Sequence, residues 1–144
     1  AGLGSARTLL RCRIAPYRGR LLVCREAAAA AAVDLAPGGR GRWDARFTVG
    51  LARAADSWPR RGFVVARLGI EGWRQVVSAR PEIRGSTLPA PARTVLPALW
   101  HSGNVVSVPH LDFARIPPTG RTPPRFTARF EPQRSLSPVF QALA

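Results

Sequence analysis

The chain has 144 residues and a mass of 15.6 kDa, which is room for one domain or two very small ones. Hydrophobic residues make up 46% of it, which argues against wholesale disorder, and no apolar run approaches the roughly 18 residues that a membrane span requires. Basic residues outnumber acidic ones 22 to 8, giving a formal charge of +14.

Every basic residue is Arg, Lys and Met do not occur, and the chain opens at Ala1. We read it as a processed product or a piece of a longer protein from a GC-rich genome. Base composition explains the choice of Arg over Lys but not the excess of positive charge. A domain this basic attracts polyanions at long range, nucleic acid being the commonest. Guanidinium groups fork onto phosphate and stack on rings. The competing reading is a solvated basic surface kept for solubility. The Arg residues are spread along the chain with no block of five or six like charges, so a folded basic face fits better than a disordered arm.

In chain order, residues 8–16 alternate, with Leu10, Cys12 and Ile14 opposed to Arg11 and Arg13. A second strand is expected over 20–26, after a hairpin at Tyr17-Arg18-Gly19. A three-residue loop would set Cys12 opposite Cys24 and Ile14 opposite Leu22; a two-residue loop would set Cys12 opposite Arg25 and spoil the apolar face. Two Cys are no disulfide framework, nothing resembles a secretory signal, and buried thiols are expected in a reducing cytosol. An Arg-rich start free of acid is also what a transit peptide shows, but the alternation favours folded structure. Cys12, Cys24, His101 and His110 match no zinc spacing, and no metal ligands are assigned.

The alanine-rich stretch 26–33 is made of strong helix formers but is too short for a helix stable alone. The glycine cluster at 37–41 lacks the Lys-Ser/Thr ending of a phosphate loop and reads as a connection. Strands are predicted over 42–49 and 61–68, and a short amphipathic helix over 71–79 with Trp73, Val76 and Val77 inward. Residues 83–92 read as loop, and 91–99 as a helical turn limited by Pro97. Strands follow at 105–108 and 125–130. The expected fold class is α+β: a small, hairpin-rich, mostly antiparallel β domain with one or two short helices over 1–131. Two subdomains meeting near 50–60 are allowed for, and 132–144 is expected to be an irregular tail.

Chemistry is sparse. The eight carboxylates are scattered, and Cys12 sits mid-strand without a base. His110 with Asp112 is the most catalytic-looking pair, yet it lacks partners and reads as structural, so no catalytic residue is assigned. Trp73 and Trp100 fall in apolar patterns and read as core. Trp58, beside Arg60 and Arg61, is the best candidate for stacking on a base.

Several segments, taken in order, carry a likeness. They are Leu21-Leu22-Val23-Cys24-Arg25-Glu26, Trp43-Asp44-Ala45-Arg46-Phe47, and Leu68-Gly69-Ile70-Glu71-Gly72-Trp73-Arg74-Gln75. Next come Leu88-Pro89, then Arg93-Thr94-Val95-Leu96-Pro97-Ala98-Leu99-Trp100, residues 105–110, and Arg129-Phe130-Glu131-Pro132 with Leu136-Ser137-Pro138-Val139-Phe140. Together they resemble the C-terminal region of bacterial tRNA(Ile)-lysidine synthetases, especially the alphaproteobacterial branch. The ordered combination, rather than any single motif, carries the resemblance.

The resemblance implies a cytoplasmic ATP-dependent ligase that attaches lysine to the wobble cytidine of an isoleucine tRNA. Its phosphate loop, Ser-Gly-Gly-x-Asp-Ser, has no counterpart here, so ATP and Mg are expected only for an N-terminal PP-loop catalytic domain. This chain would hold the tRNA, with no cofactor of its own. Arg18 and Arg20 at the hairpin turn, Arg60 and Arg61 with Trp58, and Arg74 on the short helix are the expected RNA contacts. The alternative is a structural or interaction module docking on the catalytic domain or a partner subunit; a stand-alone enzyme using His110 and Asp112 is the third.

Overall fold

The computed structural model describes residues 5–53, 59, 61–116 and 122–132. Among them the α+β, mostly antiparallel expectation holds, with three sheets and two short helices. Among the described residues no helix is long and apolar enough to cross a membrane.

The N-terminal sheet is a meander of β1 (Arg7–Leu9), β2 (Cys12–Tyr17) and β3 (Arg20–Arg25). The strand expected over 8–16 is thus broken: Leu10 and Arg11, both at positive φ (49° and 61°), turn the chain so that Leu9 pairs with Cys12. The next turn also corrects the expected register. Arg18 and Gly19 (φ 48° and 73°) form a two-residue loop of the primed type that suits strand twist, and Cys12 faces Arg25 rather than Cys24. Ile14 faces Val23, not Leu22. The pairing puts Leu9, Ile14, Val23 and Leu21 on one face, and that face is not covered: Leu9, Leu21 and Val23 are about 60% exposed. Burial pushes the Cys24 thiol above its usual value, Arg13 opposing, which leaves little thiolate for chemistry.

Only residues Ala27–Ala29 of the alanine stretch are helical, as one 3-10 turn, because eight residues are too few to nucleate a stable helix. The chain then runs extended into β4 (Val33–Asp34). The predicted strand over 42–49 is instead a hairpin of β5 (Arg40–Trp43) and β6 (Phe47–Leu51). Asp44 and Ala45 sit at positive φ (52° and 54°), and Arg46 N–H donates to Trp43 O across the turn. The turn is locked by charge. The Asp44 carboxylate, 1% exposed, accepts hydrogen bonds from Arg25 (2.7 Å) and Arg46, tying the N-terminal sheet to the hairpin.

The central sheet has the order β10-β9-β8-β7-β4, with β7 at Phe63–Arg67, β8 at Pro97–His101, β9 at Asn104–Val108 and β10 at Phe113–Ala114. The stretch 91–99 does contain a short helical turn, α2 (Ala90–Arg93), and Pro97 ends its reach by opening β8, a position where its missing N–H is tolerated. Helix α1 (Gly69–Ala79) covers one side of this sheet, burying Val76 with Leu68, Ala98, Val105 and Val108. Trp73 is only half-buried, with the Arg93 guanidinium 4.0 Å from its ring centroid. Of the loop read for 83–92, residues Pro81–Gly85 form a 3-10 turn, and Ile83 from it joins this cluster.

Against the other side lies an outer sheet in the order β11-β6-β5, with β11 at Phe126–Phe130. Trp43, Phe47, Val49, Leu51 and Phe126 from the outer sheet meet Phe63, Val65, Leu99 and Val106 from the central one. This cluster takes side chains from both sides of residues 50–60. The tail expected over 132–144 lies, apart from Pro132, outside the described residues.

Gly72 sets the approach of α1. A methyl group there would lie 2.7 Å from Leu68 Cδ1 and 2.9 Å from Trp100 Cζ2, inside contact distance. Gly72→Ala therefore destabilises by about 1–3 kcal/mol, although alanine is intrinsically the better helix former by about 1 kcal/mol. Urea unfolding checks this as a lower midpoint at unchanged slope.

Candidate nucleic-acid interface

Strand alternation decides what the outer sheet shows to solvent. Its inward residues are apolar, so Arg40, Gly50 and Thr127, cross-strand neighbours in register, point the other way. The next outward row is Arg42, Thr48 and Arg129. Beyond the first row, Ala52 N–H donates to Arg125 O at 3.0 Å, extending the ladder so that Arg125 follows Thr127 on the same face. Small residues on the central strand leave a shallow floor between two lines of guanidinium groups. Arg40, Arg42, Arg125 and Arg129 are all exposed.

Little acid answers them. Arg129 pairs with Glu131 at 3.1 Å, and the same carboxylate accepts the Thr48 hydroxyl at 2.7 Å. Arg42 donates to two backbone carbonyls, of Ala45 and Glu131, which fixes its direction without neutralising it. Arg40 and Arg125 have no carboxylate among the described residues. Arg53 has none either, and with them it lines a cavity of about 340 Å³ together with Gly38, Gly50 and Thr127.

The expected RNA contacts fall in separate places. Arg18 and Arg20 do come together, around a shallow 390 Å³ depression with Tyr17 at the hairpin turn, and the Arg18 guanidinium lies 5.3 Å from the Tyr17 ring centroid. Arg61 is exposed just before β7. Arg74 is 73% exposed on α1 and 3.7 Å from Glu71, a loose surface pair. It lies on the α1 side of the central sheet, away from the outer sheet. Trp58 and Arg60 lie outside the described residues. The outer-sheet Arg residues were not among those expected. The signal was present in Arg40 and Arg42 alternating against Trp43, and in Arg125 and Arg129 flanking Phe126 and Ala128, but joining them requires the long-range pairing of β6 with β11.

The catalytic-looking pair of His110 and Asp112 does not come together. His110 packs its ring edgewise on Phe47, centroids 5.5 Å apart, and no hydrogen bond joins it to Asp112 among the described residues. Asp112 instead closes a turn at φ 49°, its carbonyl accepting from Arg80. Among the described residues no three His, Cys, Asp or Glu gather as metal ligands would.

Burial lowers the His110 imidazole below its usual 6.5, so the folded protein resists a proton that the unfolded chain accepts. His110 therefore costs no stability above that value and costs stability increasingly as pH falls below it. Melting curves at pH 7.5 and 5.5 should show a smaller loss on acidification for His110→Gln than for the wild type.

No family model, curated protein or solved structure matches the chain.

Proposed function

We propose that the chain is a non-catalytic RNA-binding module that grips the phosphate backbone through the outer sheet, with tRNA as its partner. The carrying observation is the outward face of β5, β6 and β11, where four Arg residues stand exposed and, among the described residues, only Arg129 pairs with a carboxylate, that of Glu131. Exposed guanidinium groups around a floor of Gly50, Thr48 and Thr127 suit a ribose-phosphate chain lying flat, and contacts of this kind position an RNA without reading its sequence.

The likeness to tRNA(Ile)-lysidine synthetases supplies tRNA as the RNA, the cytoplasm as the place, and a separate PP-loop domain as the source of ATP, Mg and chemistry. Neutralising about four phosphates gives an affinity that falls with salt at a logarithmic slope of roughly −3. A filter-binding titration of tRNA between low and physiological salt tests this. Binding that ignores salt would contradict it.

A second reading, docking onto the catalytic domain or a partner subunit, is favoured by the uncovered apolar face of the N-terminal sheet at Leu9, Leu21 and Val23. It predicts that polar substitutions at Leu21 and Val23 weaken association with that protein while tRNA binding persists.

A further inference from the structure

The 340 Å³ cleft at the end of the outer sheet has features that a general phosphate-tracking face does not need. Three Arg residues line it from three different segments: Arg40 opens β5, Arg53 follows β6, and Arg125 precedes β11. None has a carboxylate partner among the described residues. Three like charges gathered in one concavity repel one another, and an anion seated between them relieves that repulsion.

The cleft wall is built backbone. Gly38 N–H donates to Leu51 O at 2.8 Å, and Leu51 N–H to Gly39 O at 3.1 Å, so the glycine turn is pinned to the end of β6. Gly38 packs beside Arg53, its hypothetical methyl 3.9 Å from Arg53 Cβ. A methyl on Gly50 would lie 3.2 Å from Thr127 Oγ1 and 3.5 Å from Arg40 Cγ, so glycine keeps the floor open between the Arg40 and Thr127 side chains. The amides of Gly38 and Ala52 are committed to backbone partners. The Thr127 hydroxyl is committed too, donating to Gly50 O at 3.3 Å, so recognition here belongs to the guanidinium forks, not to a nest of backbone N–H groups as in a phosphate loop.

Charge selects the ligand. A bridging phosphodiester carries one negative charge; a terminal phosphate monoester carries nearly two at neutral pH and offers three free oxygens. Three guanidinium groups with no carboxylate partner among the described residues match the second far better. We propose that the Arg40–Arg53–Arg125 cleft seats the 5′-terminal phosphate of the RNA strand that lies along the outer sheet. The proposal rests on the RNA-binding reading and adds an end to it: the strand's direction and register are set where its terminal phosphate is captured.

The test is fluorescence anisotropy on the full chain with one short RNA, made with a 5′-phosphate or with a 5′-hydroxyl, and with a nucleoside monophosphate as competitor. The phosphorylated RNA should bind roughly tenfold tighter, the value of one or two charge-assisted hydrogen bonds. Arg53→Gln, a change at an exposed side chain, should bring the ratio close to one, with circular dichroism confirming the fold. Equal, salt-sensitive binding of both RNAs overturns the cleft proposal and leaves the RNA reading standing. An equal loss for both RNAs in Arg53→Gln also overturns it, because the cleft would then be ordinary face. Competition by the monophosphate as strong as by the phosphorylated RNA assigns the cleft to a free nucleotide instead. Binding of neither RNA at low salt removes both readings.

Discussion

Replacing Arg40, Arg42, Arg125 and Arg129 together by Gln is expected to lower tRNA affinity by about two to three orders of magnitude at low salt. It should also shallow the salt slope by roughly 3. Both effects have one cause. These four side chains face outward from the three-stranded outer sheet, and among the described residues only Arg129 has a carboxylate beside it. Each phosphate they neutralise releases condensed counterion, and removing the charge removes that release. The side chains are exposed, so the fold should survive. The matching Lys variant separates charge from geometry: it keeps the slope, and it loses affinity only to the extent that the planar fork matters. The same exchange at Arg80 and Arg84, on the α1 side of the molecule, should change little.

Trp43→Ala should be the most damaging single substitution, costing about 3–5 kcal/mol. That is a large share of the 5–15 kcal/mol that typically holds a domain folded. Trp43 is fully buried where the outer and central sheets meet, 5.9 Å ring to ring from Phe47, and its indole N–H donates to Ala31 O at 2.8 Å. It ends β5, one residue after the outward Arg42, so loosening it also loosens half of the basic face. Trp43→Phe keeps much of the apolar area but strands the Ala31 carbonyl, for an expected cost of about 1–2 kcal/mol. Urea unfolding of the two variants, read beside their tRNA affinities, should show stability and binding falling together. Stability lost with binding intact at low temperature would mean that the face does not depend on this packing.

The elements most legible in the sequence were those with one period and conventional ends. Val76 and Val77 marked α1, the run through Phe63 and Val65 marked β7, and residues 105–108 marked β9. The failures share a cause. Among the described residues five turns place non-glycine residues at positive φ, and three of them are where the reading fails: Leu10-Arg11, Arg18 and Asp44-Ala45. Two of them lie inside apolar–polar alternations that continue unbroken through the turn, so 8–16 and 42–49 each read as one strand. Asp tolerates the left-handed region, but here it stands in an unbroken apolar–polar alternation. Asp44 is held in the turn by Arg25, nineteen residues away, and by Arg46.

The hairpin register was misread for a related reason. The expectation assumed that the N-terminal sheet must bury a clean apolar face, whereas the primed turn at Arg18-Gly19 sets the pairing and Leu21 and Val23 stay exposed. For the candidate site, net charge gave the polyanion reading, and Arg18 and Arg20 were placed correctly at a turn. The outer face needed Gly50 paired with both Arg40 and Thr127, a juxtaposition across 77 residues of chain that no local pattern encodes.

The central claim is that the outward face of β5, β6 and β11 is where RNA lies. Backbone amide shifts, followed by NMR as tRNA or a short RNA is added at low salt, test it most directly. The account predicts perturbations concentrated at residues 40–42, 48–53 and 125–129, vanishing as salt is raised. Perturbations centred on α1 around Arg74, with the outer sheet silent, would contradict it.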